Sequence, residues 1–299
     1  MFSFAKVNMR SVRFTIVFLF ASSSTVQADE SLVFAVHPYI TPTMLVERFQ
    51  PLTDYLAKIL EVPVHLYIAT SVEEQIRRIA NGEVDLAYMG PTPYLRAHDN
   101  YQAGMEQRIS LLAGEEPYTS VIVVRADSPI RSLDDLQGKT MAFVERQSMG
   151  GYYAPRVMMD QVGLTLFDLK DYRFLGRHER VVLSVLHGDY DAGATTRGIA
   201  EHYMSRPPGL RIIQTSSALP PLSIVARANL PTPIKESIRE ALVSPDAHGR
   251  RVLDSVSQEA RFRLVDDSEF DYARALVHQV DGSRLTLPTG TANEPPASD

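Results

Sequence analysis

Short apolar runs alternate with segments of helical periodicity along most of this 299-residue chain, and this alternation constrains the fold more than any other feature. Leu32–Val36 is an apolar run of strand length, and Thr43–Leu60 repeats apolar residues at helical spacing. The alternation continues through strand-like Val64–Ala69, helical Val72–Ala80 and strand-like Val84–Met89. It predicts an α/β fold with mainly parallel sheets, because each helix returns the chain to begin the next strand in the same direction.

A second series of the same kind follows. Its predicted strands are Thr140–Val144, Tyr172–Leu175 and Tyr190–Ala194, and its predicted helices are Tyr152–Val162, Glu179–His187 and Thr196–Tyr203. Further extended segments are predicted at Ile109–Ala113, Ser120–Val124, Arg211–Gln214 and Leu222–Ala226. From Pro233 to about Val280 the pattern is mostly helical. Two strand–helix series joined by extended segments indicate two lobes.

One segment of the first series resembles a segment of the second. NGEVDLAYMGPT (81–92) and HGDYDAGATTRG (187–198) each end a predicted helix on a glycine. That residue suits the left-handed position after a helix. An aspartate then precedes a small or apolar strand in both. The likeness favours two lobes built on one plan, with chance similarity as the alternative.

The first 28 residues have the composition of a secretory signal peptide. Lys6, Arg10 and Arg13 precede the apolar run Phe14–Ala21, and small residues lead to Ala28. The apolar run is shorter than the roughly 20 residues that span a bilayer. We therefore expect cleavage after Ala28 and export of the product, with an uncleaved amphipathic anchor as the alternative.

Charge and cysteine content narrow the classes of partner. The chain carries 30 Lys and Arg against 36 Asp and Glu; three of the basic residues and no acid lie in the predicted leader, so the remainder has a net charge of about −9. With no basic stripe, nucleic acid is not an expected partner. The absence of cysteine excludes disulfides and thiolate metal sites. The Pro-, Thr- and Ala-rich tail, residues 286–299, is predicted to be disordered.

The corners that follow the predicted strands are candidate anion sites. Ligands of parallel α/β sheets bind outside the carboxyl ends of the strands, where helix N-termini present unpaired N–H groups. The corner residues with suitable chemistry are Tyr39, Thr92, Tyr94, Ser148, Gly150, Gly151 and His178. Each has a structural alternative: Thr92 and Ser148 as helix N-caps, the glycines as turn or packing residues, His178 and the tyrosines as ordinary buried or exposed side chains.

Sequence motifs for catalysis, cofactors or metals are absent. There is no P-loop, no dinucleotide-binding G-x-G-x-x-G after a strand, no H-E-x-x-H and no G-x-S-x-G. The eight histidines have no metal-ligand spacing. We therefore expect no enzymatic activity, no cofactor and no metal.

The chain resembles the periplasmic phosphate/phosphite/phosphonate-binding proteins, which are the solute-binding subunits of ABC importers. The resemblance extends from about Leu32 to Leu242 and rests on FAVHPY, FQPLTDYLAKILEVPV, GEVDLAYMGPTPY, SLDDLQGKTMAFVERQSMGGYYAP, LGRHERVVLSVLHGDYDA and PPLSIVARANLP. It implies a two-lobed periplasmic-binding-protein fold in which each lobe is a mainly parallel sheet flanked by helices. The implied lobes are residues 29–120 with 222–285, and residues 121–221, with strand crossovers as hinges.

The resemblance also implies ligand contacts. Tyr39 and Tyr94 would contact the ligand from the first lobe; Ser148, the Gly150–Gly151 amides and His178 would hold an anion from the second. Met149 and Gly150 replace two hydroxyl residues of the family's anion loop. Arginines in the corner loops are the candidate replacements, with exposed rim residues as the alternative: Arg146, Arg177 and Arg197. Gly198 and Leu222 stand where some relatives carry carboxylates for an amine, so we expect no acid to meet an ammonium group.

The leading functional hypothesis is capture of a small oxyanion for an inner-membrane ABC permease by a monomeric periplasmic protein. A second hypothesis keeps the fold and makes the protein a ligand sensor that signals to a membrane kinase. A third is a hydrolase or transferase that uses His178, which the missing motifs argue against.

Overall fold

The structure of the protein is a computed structural model that describes residues 31–100, 109–256 and 261–285. The predicted signal peptide and the predicted disordered tail both lie outside the described residues.

Ten strands lie within the described ranges. They are β1 (Leu32–Val36), β2 (Val64–Ile68), β3 (Leu86–Met89), β4 (Ile109–Gly114), β5 (Ser120–Arg125), β6 (Thr140–Phe143), β7 (Asp171–Phe174), β8 (Ala192–Thr196), β9 (Leu210–Thr215) and β10 (Ser223–Arg227). They form two five-stranded sheets, ordered β2-β1-β3-β10-β4 and β7-β6-β8-β5-β9. In each sheet the first three strands pair in parallel, and one strand, β10 or β5, runs opposite to the other four.

Helices cover both sheets. Those described are α1 (Pro42–Leu60), α2 (Val72–Ala80), α3 (Pro91–Leu95), α4 (Ala154–Asp160), α5 (His178–His187), α6 (Arg197–Met204), α7 (Thr232–Val243), α8 (Ala247–Val256) and α9 (Asp271–Leu285). A π turn, Met149–Tyr153, leads directly into α4. No helix in this described part of the chain combines the length and apolar character needed to cross a membrane.

The predicted α/β fold with two mainly parallel sheets is confirmed, and the bounds of several elements agree with the periodicity. β1 and α2 have the predicted limits. One helix differs: the segment predicted from Tyr152 to Val162 begins earlier, at Met149, and ends at Asp160. The difference arises because the helical backbone already begins at the Met149-Gly150-Gly151 corner, where the apolar periodicity gives no signal.

The connections between the sheets lie side by side. Residues 115–119 lead from β4 to β5, and residues 216–222 lead from β9 back to β10. Tyr118 and Leu219 exchange backbone hydrogen bonds of 3.2 and 2.7 Å between the two segments. The connections are therefore a two-stranded link between the sheets.

The apolar core is continuous between the two sheets. One buried cluster contains Ile76 of α2, Phe143 of β6 and Phe270 near the start of α9. A second cluster, around Phe49 and Leu52 of α1, fills the other face of the first sheet. The C-terminal helix thus packs within the core that both sheets share.

The two similar segments noted in the sequence occupy equivalent places. β3 and β8 are each the third strand of their sheet, and the preceding glycines, Gly82 and Gly188, have φ of 71° and 82°. Asp85 accepts the Val33 N–H at 2.8 Å, and Asp191 accepts the Thr140 N–H at 2.9 Å. Each aspartate thereby ties the start of its sheet's first strand to the start of its third.

Candidate functional site

The carboxyl edges of the two sheets meet across a small set of polar side chains. Gln147, which follows β6, donates a hydrogen bond from its side-chain amide to the Glu73 carboxylate in the first turn of α2. Burial, and then the Glu73 charge, raise the pKa of Glu145 to about 7. We call the residues on these facing edges the edge site: His37, Tyr39, Glu73, Glu145, Gln147, Ser148 and His178.

Ser148 caps the helix that follows β6. Its Oγ accepts the Gly151 N–H at 2.9 Å, so the cap prediction is confirmed. A serine hydroxyl can accept and donate at once. The Ser148 hydrogen has no acceptor among the described residues, so capping leaves it available for a ligand.

The two adjacent glycines are closely packed, Gly151 more tightly than Gly150. A Cβ on Gly151 would overlap the Val144 side chain and lie 2.8 Å from Ser148 Oγ. A Cβ on Gly150 would lie 3.1 Å from both Tyr118 and Thr196. A side chain at Gly151 would therefore clash, as the packing alternative stated, whereas one at Gly150 would require its neighbours to move by a few tenths of an ångström.

His178 begins α5 on the same edge. Its Nδ1 lies 3.1 Å from Thr195 Oγ1 at the end of β8. Burial, and then the charge of His37 on the opposite edge, lower the pKa of His178 to about 4. The imidazole is thus neutral at ordinary pH, and it offers a hydrogen bond rather than a charge.

Tyr39 lies where the sequence analysis placed it, just beyond β1. Its ring centroid is 5.3 Å from that of His37, and its hydroxyl accepts a 3.4 Å hydrogen bond from Arg48 of α1. Burial raises the pKa of Tyr39 to about 12, against the opposing effect of Arg48. The phenol therefore keeps its proton and can donate it in a hydrogen bond.

Thr92 and Tyr94 lie in α3, directly after the end of β3. Gly90, not Thr92, is the N-cap of α3; Pro91 already occupies the first turn, and Thr92 Oγ1 is buried with no partner in the described part of the chain. Tyr94 donates its hydroxyl to Asp267 at 2.7 Å, and its ring lies 4.4 Å from that of Phe270. The Tyr94 hydroxyl is therefore committed to the C-terminal segment.

The three corner arginines have different surroundings. Arg146 is exposed and lies 5.0 Å from the centroid of the Phe174 ring. Arg197 binds Glu201 at 3.2 Å. It also donates to the hydroxyls of Thr119, just before β5, and Thr215, at the end of β9. Arg177 has a half-buried side chain whose guanidinium binds none of the described residues. Of the three corner arginines, Arg177 is thus the one whose guanidinium contacts no partner among the described residues.

The sequence analysis did not name His37 and Glu73 on the first edge, or Glu145 and Gln147 on the second. Glu73 raises the pKa of Glu145, so the edge site contains two acids that interact with one another. The expectation that no acid meets a ligand's ammonium group, which was based on Gly198 and Leu222, stays a prediction. His37 directly follows β1, and Glu145 and Gln147 lie beside Ser148 in the corner already selected. Their position shortly after a strand was the available sequence signal.

A surface cavity lies elsewhere. It has a volume of about 410 Å³ between α1, α7 and α8 and is lined by Tyr55, Lys58, Glu240, Asp246 and His248, among others. It shares no residue with the carboxyl edges and none with the predicted set. We therefore place the candidate site at the edges, where strand ends, helix starts and buried polar groups converge.

Comparison with known proteins gives one family. The model of the family described as "ABC transporter, phosphonate, periplasmic substrate-binding protein" matches residues 34–270. The phosphate-import protein PhnD of Mycolicibacterium smegmatis is 27% identical over 174 residues, 55% of this chain and 54% of the relative, so this match spans about half the length of that protein. The phosphonates-binding periplasmic protein of Escherichia coli is 25% identical over 241 residues, 76% and 71% of the two chains.

A solved structure shows the same fold. PhnD1 of Prochlorococcus marinus, solved with methylphosphonate, superposes with a TM-score of 0.76 at 17% identity. The superposition covers 85% of this chain and 99% of that one.

Proposed function

Since the chain belongs to the family of periplasmic substrate-binding proteins of phosphonate ABC transporters, we propose that it captures a small phosphonate- or phosphate-like oxyanion at the edge site for an inner-membrane permease. The observation that carries this proposal is the family match itself, which extends over residues 34–270 and includes every residue of the edge site. The family is one of binding proteins, so the proposed activity is capture without turnover.

The two sheets are the proposed cores of two lobes, residues 29–120 with 222–285 and residues 121–221. The paired connecting segments would act as the hinge, since they are the links through which the chain passes between the sheets and they are joined by backbone hydrogen bonds. Ligand binding would hold the carboxyl edges together. Small-angle scattering should show a smaller radius of gyration with saturating ligand; an unchanged radius would contradict closure.

The proposed anion contacts come mainly from the second edge. The Ser148 hydroxyl has an unused hydrogen. The neutral His178 would add an Nε2–H in the tautomer in which the Thr195 hydroxyl donates to Nδ1. Arg177, the residue before His178, has a guanidinium with no partner within the described ranges and would supply the charge. Tyr39 would donate its phenolic hydrogen from the first edge.

The test is a ligand panel measured by thermal shift and calorimetry. Methylphosphonate, phosphate and phosphite should stabilise the protein, and a ligand at 100 times its Kd should raise the unfolding temperature by about 5–10 °C. Arg177→Ala should weaken binding at least tenfold. Arg146→Ala is the matched control, because that exposed arginine stacks on Phe174 and should leave affinity unchanged. No binding of any oxyanion would refute the proposal.

We also propose that the protein is exported, cleaved after Ala28 and monomeric in the periplasm. The charged, apolar and small-residue segments of the leader support cleavage. The mature protein should begin at Asp29 by intact mass, whereas a full-length cytoplasmic product would exclude this route.

A further inference from the structure

The orientation of one buried glutamine determines the chemistry of the first edge. Gln75 of α2 is fully buried, and its Nε2 donates to the backbone oxygens of Ala35 and Tyr88, at 3.1 and 2.9 Å. Backbone carbonyl oxygens only accept hydrogen bonds, so these two contacts use both amide hydrogens and fix which way the amide faces. Gln75 Oε1 is therefore the atom directed at His37 Nδ1, 3.2 Å away.

This contact fixes the tautomer of His37. Because Oε1 can only accept, Nδ1 must carry the ring hydrogen. Burial lowers the pKa of His37 to about 4, against the opposing effects of Gln75 and Glu73. The neutral ring therefore has an unprotonated Nε2 with a free lone pair. That atom lies on the side of the ring away from Gln75 and has no hydrogen-bond partner among the described residues.

The surroundings of the ring place it on the edge site. His37 directly follows β1, and its ring lies 5.3 Å from that of Tyr39. The titratable groups around it come from both edges: Tyr39 beside it, Glu73 of α2, and His178 of α5, whose pKa His37 lowers. Glu145 follows β6 and interacts with Glu73. The edge site thus combines the hydroxyl donors of Ser148 and Tyr39 with one neutral ring acceptor, His37 Nε2.

We propose that His37 is a specificity-determining residue that requires a protonated ligand: its Nε2 accepts a hydrogen bond from an acidic O–H of the bound oxyanion. This inference rests on the proposed function. A phosphonate or phosphate can retain one O–H near neutral pH. A sulfonate has three acceptor oxygens and no hydrogen, so it would oppose the Nε2 lone pair with another acceptor, which leaves both groups unsatisfied. The complex therefore holds one proton between Nε2 and a ligand oxygen.

The first experiment compares two ligands of the same shape, methylphosphonate and methanesulfonate, by calorimetry at pH 6. The wild-type protein should bind methylphosphonate at least tenfold more tightly. His37→Asn keeps a donor for Gln75 at the Nδ1 position but removes the acceptor at Nε2, and it should reduce this preference at least tenfold. His37→Gln restores an amide oxygen near the Nε2 position and should recover part of it.

The outcomes separate this inference from the proposed function. Equal binding of the two ligands by the wild-type protein, or an unchanged preference in His37→Asn, would overturn the role of His37 and leave anion capture standing. Failure of the wild-type protein to bind methylphosphonate, phosphate or phosphite would overturn the proposed function and the inference with it.

A second measurement uses the unmodified sequence and does not depend on a variant that folds. Nitrogen-15 NMR of the histidine side chains should show the Nδ1–H tautomer for His37 in the free protein. Calorimetry in buffers of different ionisation enthalpy should show uptake of one proton when methylphosphonate binds above its second pKa. An Nε2–H tautomer in the free protein, or binding without proton uptake under those conditions, would refute the inference.

Discussion

The two sheets of this protein share a framework and differ in the residues at their carboxyl edges. In each sheet an aspartate just before the third strand accepts a backbone N–H from the start of the first strand. Asp85 does so for Val33, and Asp191 does so for Thr140. Because the same hydrogen bond occurs in both sheets, we infer that it helps to set the register of β1 with β3 and of β6 with β8.

The second partner of each aspartate differs. Asp85 binds Arg227 of β10 at 2.7 Å, whereas Arg125, at the equivalent end of β5, binds Asp127 and leaves Asp191 to the Thr140 hydroxyl. Two residues after Arg227 stands the neutral Asn229, which also accepts from that arginine. The acidic Asp127 thus forms the ion pair with Arg125, whereas the neutral Asn229 leaves Arg227 to form its ion pair with Asp85.

The carboxyl edges differ more than the framework. The first edge carries aromatic and charged side chains: Tyr39 lies beside His37 and accepts a hydrogen bond from Arg48, and Glu73 binds Gln147 of the second edge. The second edge begins with small residues, Ser148, Gly150 and Gly151, packed closely against their own sheet. A rigid, hydroxyl-bearing edge opposite a polar, aromatic one can hold an anion from one side and discriminate between anions from the other.

The largest expected effect tests the close packing of the second edge. Gly151→Ala should lower the free energy of unfolding by about 3 kcal/mol, because the new methyl group overlaps buried Val144. Gly198→Ala is the matched control: it lies at the start of α6, its added Cβ has no neighbour within 4 Å, and its effect should be neutral or slightly stabilising. Similar losses in the two variants, measured by urea unfolding, would argue against crowding as the reason for Gly151.

The next effect separates the two framework aspartates. Asp85→Asn removes the charge from a largely buried pair with Arg227 and should cost about 2 kcal/mol of unfolding free energy. Asp191→Asn removes only hydrogen bonds at an exposed position and should cost about half as much. Urea unfolding of both variants checks this order. The opposite order would show that Arg227 adds nothing to the first sheet.

The frame was predictable from sequence, whereas the side-chain partners were not. The bounds of β1 and α2 follow from apolar periodicity, which is a local property of the chain. The Tyr94 hydroxyl, by contrast, binds Asp267, 173 residues away, and His37 binds Gln75, 38 residues away. Such partners depend on how elements pack in three dimensions. The strand ends and helix starts could therefore be located from the sequence. The hydrogen-bond partners of Tyr94 and His37 could be found only in the structure.

A pH-dependent effect tests the contact between the two edges. Burial, and then the Glu73 charge, raise the pKa of Glu145 from its ordinary value of 4.5 to about 7 in the folded protein. Below pH 4.5 both states are protonated and stability is not penalised. As the pH rises from about 4.5 to 7 the unfolded state ionises first, so stability falls, and the full penalty remains above pH 7. After allowance for partial exposure, we expect a loss of about 1–2 kcal/mol.

Glu145→Gln should remove this pH dependence and stabilise the protein at pH 8. Glu47→Gln, an exposed glutamate of α1, is the control and should keep the wild-type pH profile. Thermal unfolding between pH 4.5 and 8 measures the difference. If the wild-type and Glu145→Gln profiles run parallel across this range, Glu145 is not buried beside Glu73 as the structure has it.

The smallest expected effect compares equivalent helix caps in the two sheets. Thr41 caps α1 after β1, with Oγ1 3.4 Å from the Met44 N–H, and Ser148 caps the helix after β6 with a shorter bond of 2.9 Å. Ser148→Ala should cost about 1 kcal/mol of stability and Thr41→Ala about half of that, since the longer bond is weaker. Anion affinity should fall only in Ser148→Ala, because that hydroxyl alone lies on the edge site. Equal losses of affinity in both variants would show that helix stability, and not the Ser148 hydroxyl, governs binding, and the functional difference between the two edges would then have to lie in His178 and Arg177.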